Sequence, residues 1–198
     1  MAGAAEYTHR AVLALGSNLG ESEDTLERAV ADLVAGGVQL VRASGLYRTA
    51  PVGGPAGQPD FVNAVIEVAT DLGAYELLKL CNAVEAAHHR ERLVRWGPRT
   101  LDIDVIDYDG VISEDPVLTL PHPRAQERAF VLVPWAQMDP QAYLTVTRRA
   151  EPSGERPDEV PVPLSREVVN VAELSRTLVG ADEDAISYMR EMQVPDQP

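Results

Sequence analysis

The order of apolar patterns between residues 8 and 110 most constrains the fold of this chain. Continuous or alternating apolar runs are typical of strands, and apolar residues three or four apart are typical of helices. The predicted elements are strands at 8–15, 38–49, 61–70 and 101–110, and helices within 21–37 and 74–90. Their order, β-α-β-β-α-β, predicts an α+β, ferredoxin-like fold: an antiparallel sheet with both helices on one face, plus a C-terminal extension.

The length of 198 residues suits one domain and an extension. We expect a domain core over 1–145, a mobile insertion over 146–167, and a C-terminal helical extension with a frayed acidic tail over 168–198. The insertion is rich in proline and charge, so it cannot bury much apolar surface. Within the extension, apolar spacing predicts an amphipathic helix at 170–180.

Charge and composition exclude several classes of protein. With 17 basic and 31 acidic residues the net charge is −14, which disfavours general binding to nucleic acid or anionic membranes. The apolar runs are too short for a membrane helix, and the N-terminus does not resemble a signal peptide. The single cysteine, Cys81, allows no intrachain disulfide and favours a reducing cytoplasm.

The segment LDIDV at 101–105 carries the sharpest chemical signal. On a strand, Asp102 and Asp104 point to the same face, and Ile103 and Val105 to the other. Paired carboxylates repel each other unless a cation lies between them, and their hard oxygens suit Mg²⁺. Taken alone, such a pair is more often a solvated edge. The preceding WGPRT segment favours a metal site, because it brings an arginine next to the pair.

Two basic segments flank the aspartate strand. Trp96 is surrounded by Arg90, Arg92, Arg95 and Arg99, and guanidinium groups clamp phosphate oxygens. A solvated basic loop is the alternative interpretation. His122 stands between two prolines in LPHPR at 120–124, so the backbone holds it in an extended segment where it could contact a phosphate. A lone histidine is more often structural.

A third group of residues suits a flat heterocycle. Phe61 and Asn63 share one face of the strand at 61–70, where one could stack on a ring and the other could pair with its polar edge. In isolation, an ordinary strand aromatic is the better interpretation. The turn GSNLG at 16–20 lacks the lysine of a phosphate-binding P-loop and the third glycine of a dinucleotide loop. It is therefore interpreted as a tight turn that lets a ligand approach the backbone.

Four ordered segments between about residue 10 and about residue 140 carry a family resemblance. They are GSNLG, YRTAPVGGPAGQPDFVNAV, VEAAHHRERLVRWGPRTLDIDVI and LPHPRAQERAFVLVP. Together they resemble the 6-hydroxymethyl-7,8-dihydropterin pyrophosphokinases of folate biosynthesis. The resemblance implies transfer of pyrophosphate from ATP to the hydroxymethyl group of the dihydropterin, with release of AMP, and it implies the same ferredoxin-like fold.

The resemblance also assigns residues. It implies that Asp102 and Asp104 hold two Mg²⁺ ions, and that Phe61 and Phe130 sandwich the pterin ring. The implied catalytic residues are Arg90, Arg92, Asp102 and Asp104. The implied ATP-binding residues are Asn82, Glu85, Arg90, Arg92, Trp96, Arg99, Val105, Thr119, His122 and Arg128. The implied pterin-binding residues are Thr49, Ala50, Val52, Phe61, Asn63, Trp96, Asp102 and Phe130.

Two positions depart from the family pattern. His89 stands where a glycine usually precedes the first loop arginine, and Asn82 stands where a longer glutamine can stand. The alternatives left open are a Mg²⁺-dependent kinase with another acceptor, an RNA-binding ferredoxin-like module and a catalytically dead ligand sensor. We expect a cytoplasmic monomer whose partners are small-molecule substrates, with no nucleic acid, membrane or obligate protein partner.

Overall fold

The computed structural model describes residues 7–51, 55, 57–88, 98–149, 164–179 and 186–195. The helices are α1 (Ser22–Ala35), α2 (Ala74–Ala87), α3 (Ala129–Met138) and α4 (Val171–Val179), with a 3-10 turn at Ala125–Glu127. The strands are β1 (His9–Ser17), β2 (Gln39–Ala43), β3 (Gly45–Thr49), β4 (Phe61–Thr70), β5 (Asp102–Tyr108), β6 (Ser113–Glu114), β7 (Thr119–Leu120), β8 (Tyr143–Arg149), β9 (Leu164–Asn170) and β10 (Ile186–Glu191). Over these ranges, each helix is too short or too polar to span a bilayer.

A six-stranded antiparallel sheet forms the centre of the molecule. Its order is β10-β3-β4-β1-β5, and β2 also pairs with β4. Because β1 runs antiparallel to both of its neighbours, its C-terminal end lies beside the first residues of β4 and β5. The predicted β-α-β-β-α-β sheet is therefore confirmed, and its topology brings three strand ends together.

The strand predicted over 38–49 is divided at Ser44 into β2 and β3. Ser44 is buried, and its backbone N–H donates to the carbonyl of Val65. Its hydroxyl accepts a hydrogen bond from the Val65 N–H at 2.9 Å and donates to the Gly45 carbonyl at 2.8 Å. The side chain thus satisfies buried backbone groups at the break, which apolar alternation alone did not reveal.

Helices α1 and α2 cover one face of the sheet. Leu26 and Leu33 of α1 pack in the same apolar cluster as Leu13 and Leu15 of β1 and Ile66 of β4. The α1 residues recur at helical spacing and the strand residues alternate, which is why both periods were readable in the sequence.

Helix α3 packs against the opposite face, which the sequence left without an assigned element. Val131 and Trp135 of α3 share a second apolar cluster with Val12 of β1 and Val65 of β4. A helix that is apolar on most sides gives no amphipathic period, and α3 also contains Pro134. For these two reasons, the apolar pattern of the sequence did not predict α3.

Beyond the core, β8 and β9 pair antiparallel, and α4 follows β9. The central part of the predicted mobile insertion, residues 150–163, lies outside the described residues. The helix expected within the extension corresponds to α4 at 171–179.

Strand β10 is an element that the sequence prediction did not include. It pairs with β3 at the edge of the main sheet. Arg190 of β10 binds Glu23 and Glu27 of α1 at 2.8 and 2.7 Å, and Met192 is buried in the α1–α2 core. The C-terminal extension is thus joined to the sheet by a strand as well as carrying the expected helix.

Candidate active site

The two aspartates of β5 lie on the face opposite to α1 and α2. Ile103 and Val105 between and after them are buried in the α1–α2 core, so strand alternation turns Asp102 and Asp104 to the other side. Both carboxylates are partly exposed there. The predicted geometry of the LDIDV segment is what the structure has.

Each aspartate is paired with an arginine. Arg99, which precedes β5, forms an ion pair with Asp102. Arg128, the residue before α3, donates from Nη1 to Asp104 Oδ2 at 2.8 Å. The guanidinium of Arg128 also lies 5.4 Å from the centre of the Phe130 ring. One guanidinium from the adjacent segment and one from a distant segment therefore converge on the aspartate pair, as expected for a polyanion site.

His122 lies at the edge of the same cluster. Its Nε2 is 3.8 Å from Asp104 Oδ2, and its Nδ1 accepts a hydrogen bond from the Arg124 N–H at 3.2 Å. Burial lowers the pKa of His122 below its ordinary value; Asp104 opposes this shift and Arg128 adds to it. The ring is therefore mainly neutral at pH 7, with its proton on Nε2. The Nε2–H group can donate a hydrogen bond to a ligand.

A cavity of about 260 Å³ adjoins the cluster, between α2, β5 and the β6–β7 hairpin. Five residues predicted to contact nucleotide line it: Asn82, Glu85, Val105, Thr119 and His122. The predicted metal ligand Asp104 lines it as well. Glu85 is 4% exposed, and its Oε1 accepts a hydrogen bond from the Ile103 N–H at 2.7 Å. That contact ties α2 to the aspartate strand. The apolar wall also includes Leu78, Val117 and Leu118, which were not predicted from the sequence.

Across β1 from the aspartates, the missing side chain of Gly16 leaves a gap between its two neighbouring strands, and this gap is called the second recess below. Gly16 of β1 pairs with Asn63 of β4 on one side and with Asp102 on the other. A Cβ at Gly16 would lie 3.2 Å from Asn63 Oδ1 and 4.0 Å from the Phe61 ring. Because neighbouring strands are about 4.8 Å apart, Asn63 and Asp102 stand roughly 10 Å apart with only a glycine between them.

The recess contains most of the described residues predicted for the pterin. Asn63 is 5% exposed, and its Nδ2 donates to Thr49 Oγ1 at 2.8 Å. Phe61 begins β4 on the same face as Asn63, and Ala50 follows Thr49 directly. Gly16 was not identified from the sequence as a site residue, although its turn was interpreted as a place where a ligand approaches the backbone.

The remaining predicted site residues are Val52, Arg90, Arg92 and Trp96, and they lie outside the described residues, as does His89. Within the described ranges, no group of three or more His, Cys, Asp and Glu side chains is arranged to hold a metal ion. The two-carboxylate pair of β5 is therefore the candidate metal position in this part of the chain.

Comparison with known proteins identifies a family that this chain matches. Residues 12–140 match the family model described as 7,8-dihydro-6-hydroxymethylpterin-pyrophosphokinase (HPPK). A 2-amino-4-hydroxy-6-hydroxymethyldihydropteridine pyrophosphokinase of Methylorubrum extorquens is 46% identical over 136 residues, covering 68% of this chain and 85% of the relative. The protein of that name in Bacillus subtilis is 42% identical over 138 residues, covering 69% and 82%.

A solved structure supports the fold. The crystal structure of an HPPK-DHPS protein in complex with substrates has a TM-score of 0.61 and 10% identity, and covers 92% of this chain and 46% of that one. The family model spans more than half of the present sequence, and relatives above 40% identity align over two thirds of it. The chain belongs to the 7,8-dihydro-6-hydroxymethylpterin-pyrophosphokinase family.

Proposed function

We propose that this protein transfers pyrophosphate from ATP to the hydroxymethyl group of 6-hydroxymethyl-7,8-dihydropterin and releases AMP, a step of folate biosynthesis. One observation carries the proposal. The aspartate pair lies between two recesses, since Asp104 lines the cavity beside α2 and Asp102 pairs with Gly16 next to Asn63. A nucleotide in the first and a pterin in the second would meet at the carboxylates.

The donor set of Asp102 and Asp104 fits Mg²⁺. Carboxylate oxygens are hard ligands, and Mg²⁺ keeps several waters and takes phosphate oxygens as further ligands, so two protein carboxylates suffice. We infer that these residues hold two Mg²⁺ ions, which when bound neutralise the charge of the phosphate oxygens. Arg99 and Arg128 form ion pairs with the same two aspartates. When ATP binds, these guanidinium groups can bind its phosphate oxygens instead.

The side chains around the phosphates supply donors and cations. His122 is neutral with a proton on Nε2, so it donates a hydrogen bond toward the cavity without adding charge. Arg99 and Arg128 add two guanidinium groups that stabilise the negative charge developing on the leaving AMP oxygen. Arg90, Arg92 and Trp96 stay predicted contributors on the family resemblance alone.

The second recess suits the pterin. Since the Nδ2 group of Asn63 is occupied by Thr49, its Oδ1 atom remains directed toward Gly16 and can accept a hydrogen bond from a ring N–H. Phe61 and Phe130 supply aromatic faces for stacking. Ala50 and Val52 stay predicted contacts from the loop that follows Thr49.

The compartment is also a proposal. Cys81 is buried, and burial raises the pKa of its thiol to about 12, so the thiol stays protonated and unreactive. A single inert thiol is compatible with the reducing cytoplasm, where ATP and reduced pterins are available.

The test is AMP release from ATP and Mg²⁺, with and without the dihydropterin. Asp104→Asn should abolish pterin-dependent AMP, because the amide cannot replace a charged metal ligand. Asp107→Asn is the matched control, since Asp107 lies on the same strand and its side chain accepts the Gly110 N–H in the turn that follows β5. Equal turnover in both variants would refute the assignment, and AMP release with unrelated alcohols would indicate a different acceptor.

A further inference from the structure

Asn18 is a buried polar residue just beyond the end of β1. It is 3% exposed and follows Ser17, the last residue of that strand. The reaction proposed above assigns it no part. A buried carboxamide is costly unless its hydrogen bonds are made, so the partners of Asn18 reveal what it holds in place.

Its partners belong to two other segments. The Asn18 backbone N–H donates to the Arg99 carbonyl at 3.0 Å, and the Arg99 N–H donates to Asn18 Oδ1 at 2.8 Å. The Asn18 Nδ2 group donates to the Pro59 carbonyl at 3.1 Å. One side chain therefore uses its acceptor for the first segment and its donor for the second.

The topology gives these contacts a meaning. Pro59 lies two residues before Phe61, the first residue of β4, and Arg99 lies three residues before Asp102, the first residue of β5. These two strands flank β1, and both begin beside its C-terminal end. Asn18 thus fastens the entry to the strand that carries Phe61 and Asn63 to the entry of the strand that carries Asp102 and Asp104.

We propose that Asn18 is a positioning residue that sets the spacing between the pterin recess and the phosphate-binding cluster. The inference rests on the proposed function, because it concerns the alignment of the two substrates of that reaction. An attacking hydroxyl must lie about 3–3.5 Å from phosphorus, and a displacement of 1 Å can lower the rate by about a hundredfold. Loss of either arm of Asn18 frees one recess to move relative to the other.

Two substitutions separate the arms. Asn18→Asp keeps an acceptor for the Arg99 N–H but replaces the donor to the Pro59 carbonyl by a second oxygen. Asn18→Ala removes both side-chain bonds. We expect Asn18→Asp to weaken binding of the dihydropterin about tenfold with nucleotide affinity retained, and Asn18→Ala to lower kcat about tenfold to a hundredfold.

The chain offers a matched control. Asn170 donates from Nδ2 to the Pro140 and Ala142 carbonyls at 3.3 Å and accepts from the Glu173 N–H at 3.1 Å, at the junction of β9 and α4. Asn170→Asp and Asn170→Ala remove the same kinds of bond, and the partners of Asn170 include none of the proposed site residues. They should leave kcat and both substrate affinities unchanged, whatever they do to thermal stability.

The experiment combines three readouts on the full chain: kcat, the Kd of the dihydropterin and of a non-hydrolysable ATP analogue, and hydrogen exchange of residues 57–61 and 99–102. Support requires the split in affinities for Asn18→Asp and faster exchange at 57–61 in both Asn18 variants. Folded Asn18 variants that match the Asn170 variants in kcat and both Kd values overturn the positioning role.

The outcome for the unsubstituted protein keeps the two proposals distinguishable. If it turns over and the Asn18 variants turn over equally, only the positioning role fails. If it binds both ligands but releases no AMP, the reaction fails, and the affinity split still decides the role of Asn18. If it binds neither ligand, both proposals fail together.

Discussion

The two faces of the sheet are built from the same strands, yet they are covered differently. On one face, α1 and α2 pack against a continuous apolar cluster that extends from β2 to β5. On the other face, α3 packs mainly against β4 and β3. The end of that face, where Gly16, Asn63 and Asp102 lie in one row across three strands, has polar side chains instead.

Strand β5 shows what this difference teaches. Ile103 and Val105 are each 4% exposed on the covered face, whereas Asp102 and Asp104 alternate with them on the face where helix cover ends. A substitution on the covered face should therefore act on stability, and one on the polar end of the other face should act on chemistry. Each prediction below tests that division.

The largest effect is expected for Asp104→Ala. Removing the carboxylate removes a proposed Mg²⁺ ligand and the partner of Arg128, so kcat for AMP release should fall at least about a thousandfold. Because the side chain is partly exposed, thermal unfolding should shift by only a few degrees. Stopped-time AMP assays and calorimetry check the two halves. A large loss of stability with little loss of activity would contradict the division.

The opposite result is expected for Leu13→Ala. Leu13 is fully buried under α1 and α2, and truncation of a buried leucine costs about 2–5 kcal/mol of the free energy of unfolding. Urea titration measures that loss. Turnover per folded molecule should stay near the unsubstituted value, and a selective loss of kcat in folded protein would show that the two faces are not independent.

Much of this division was readable from the sequence, since both faces of β1, β4 and β5 follow the strand period. The shared orientation of the aspartates came from that period. Their interpretation as a site, with the arginine and histidine partners, came from the neighbouring motifs and the family resemblance. Helix α3 was missed because its burial on most sides removes the amphipathic signal. Strand β10 was missed because it is a short edge strand whose pairing with β3 depends on contacts distant in sequence.

The roles of Gly16 and Asn18 needed the structure for a different reason. A tight turn was evident from GSNLG, but the sequence does not state which strands lie on either side of it. Only the β4-β1-β5 order brings Asn63 and Asp102 to opposite sides of Gly16, and Pro59 and Arg99 to Asn18. The local sequence pattern therefore predicts the turn, but only the pairing of the strands shows which residues lie next to Gly16 and Asn18.

Gly16→Ala should have a smaller, selective effect. The new methyl group would stand 3.2 Å from Asn63 Oδ1, which is tighter than ordinary contact, so the amide must shift and the recess must narrow. We expect dihydropterin affinity to fall about tenfold, the equivalent of about 1.4 kcal/mol, with nucleotide affinity unchanged. Isothermal titration with each ligand measures both.

Gly73→Ala is the control for the loss of a glycine. A Cβ at Gly73 meets only Glu76 Oε2 at 3.5 Å, which is ordinary contact, at the start of α2 on the covered side. If Gly16→Ala binds pterin as tightly as Gly73→Ala does, the row across Gly16 is not the pterin recess.

The smallest effect is expected at His122. The pKa of this residue reports how far burial removes water from the polar end of the face on which α3 packs. Burial holds the pKa of His122 below its ordinary value of about 6.5, so the unfolded chain takes up the proton first as the pH falls. The contribution of His122 to the free energy of unfolding is therefore fully present above pH 6.5. It is lost as the pH falls through the lower folded-state pKa, by at most about 1.4 kcal/mol per pH unit. Unfolding free energies of the unsubstituted protein and His122→Gln between pH 7.5 and 5 should therefore converge or cross as the pH falls.

Arg128→Gln makes the same test sharper. Arg128 lowers the pKa of His122 and Asp104 raises it, so removal of the guanidinium should raise the pKa, measurable from the His122 ring signals by NMR. Arg42→Gln is the control, because it removes an equal charge whose partners are Glu67 and Asp139. An equal shift in both variants would mean that His122 responds to net charge alone. A shift confined to Arg128→Gln would mean that the histidine responds to the guanidinium beside Asp104. That result is expected if Asp104, His122 and Arg128 form a partly buried cluster.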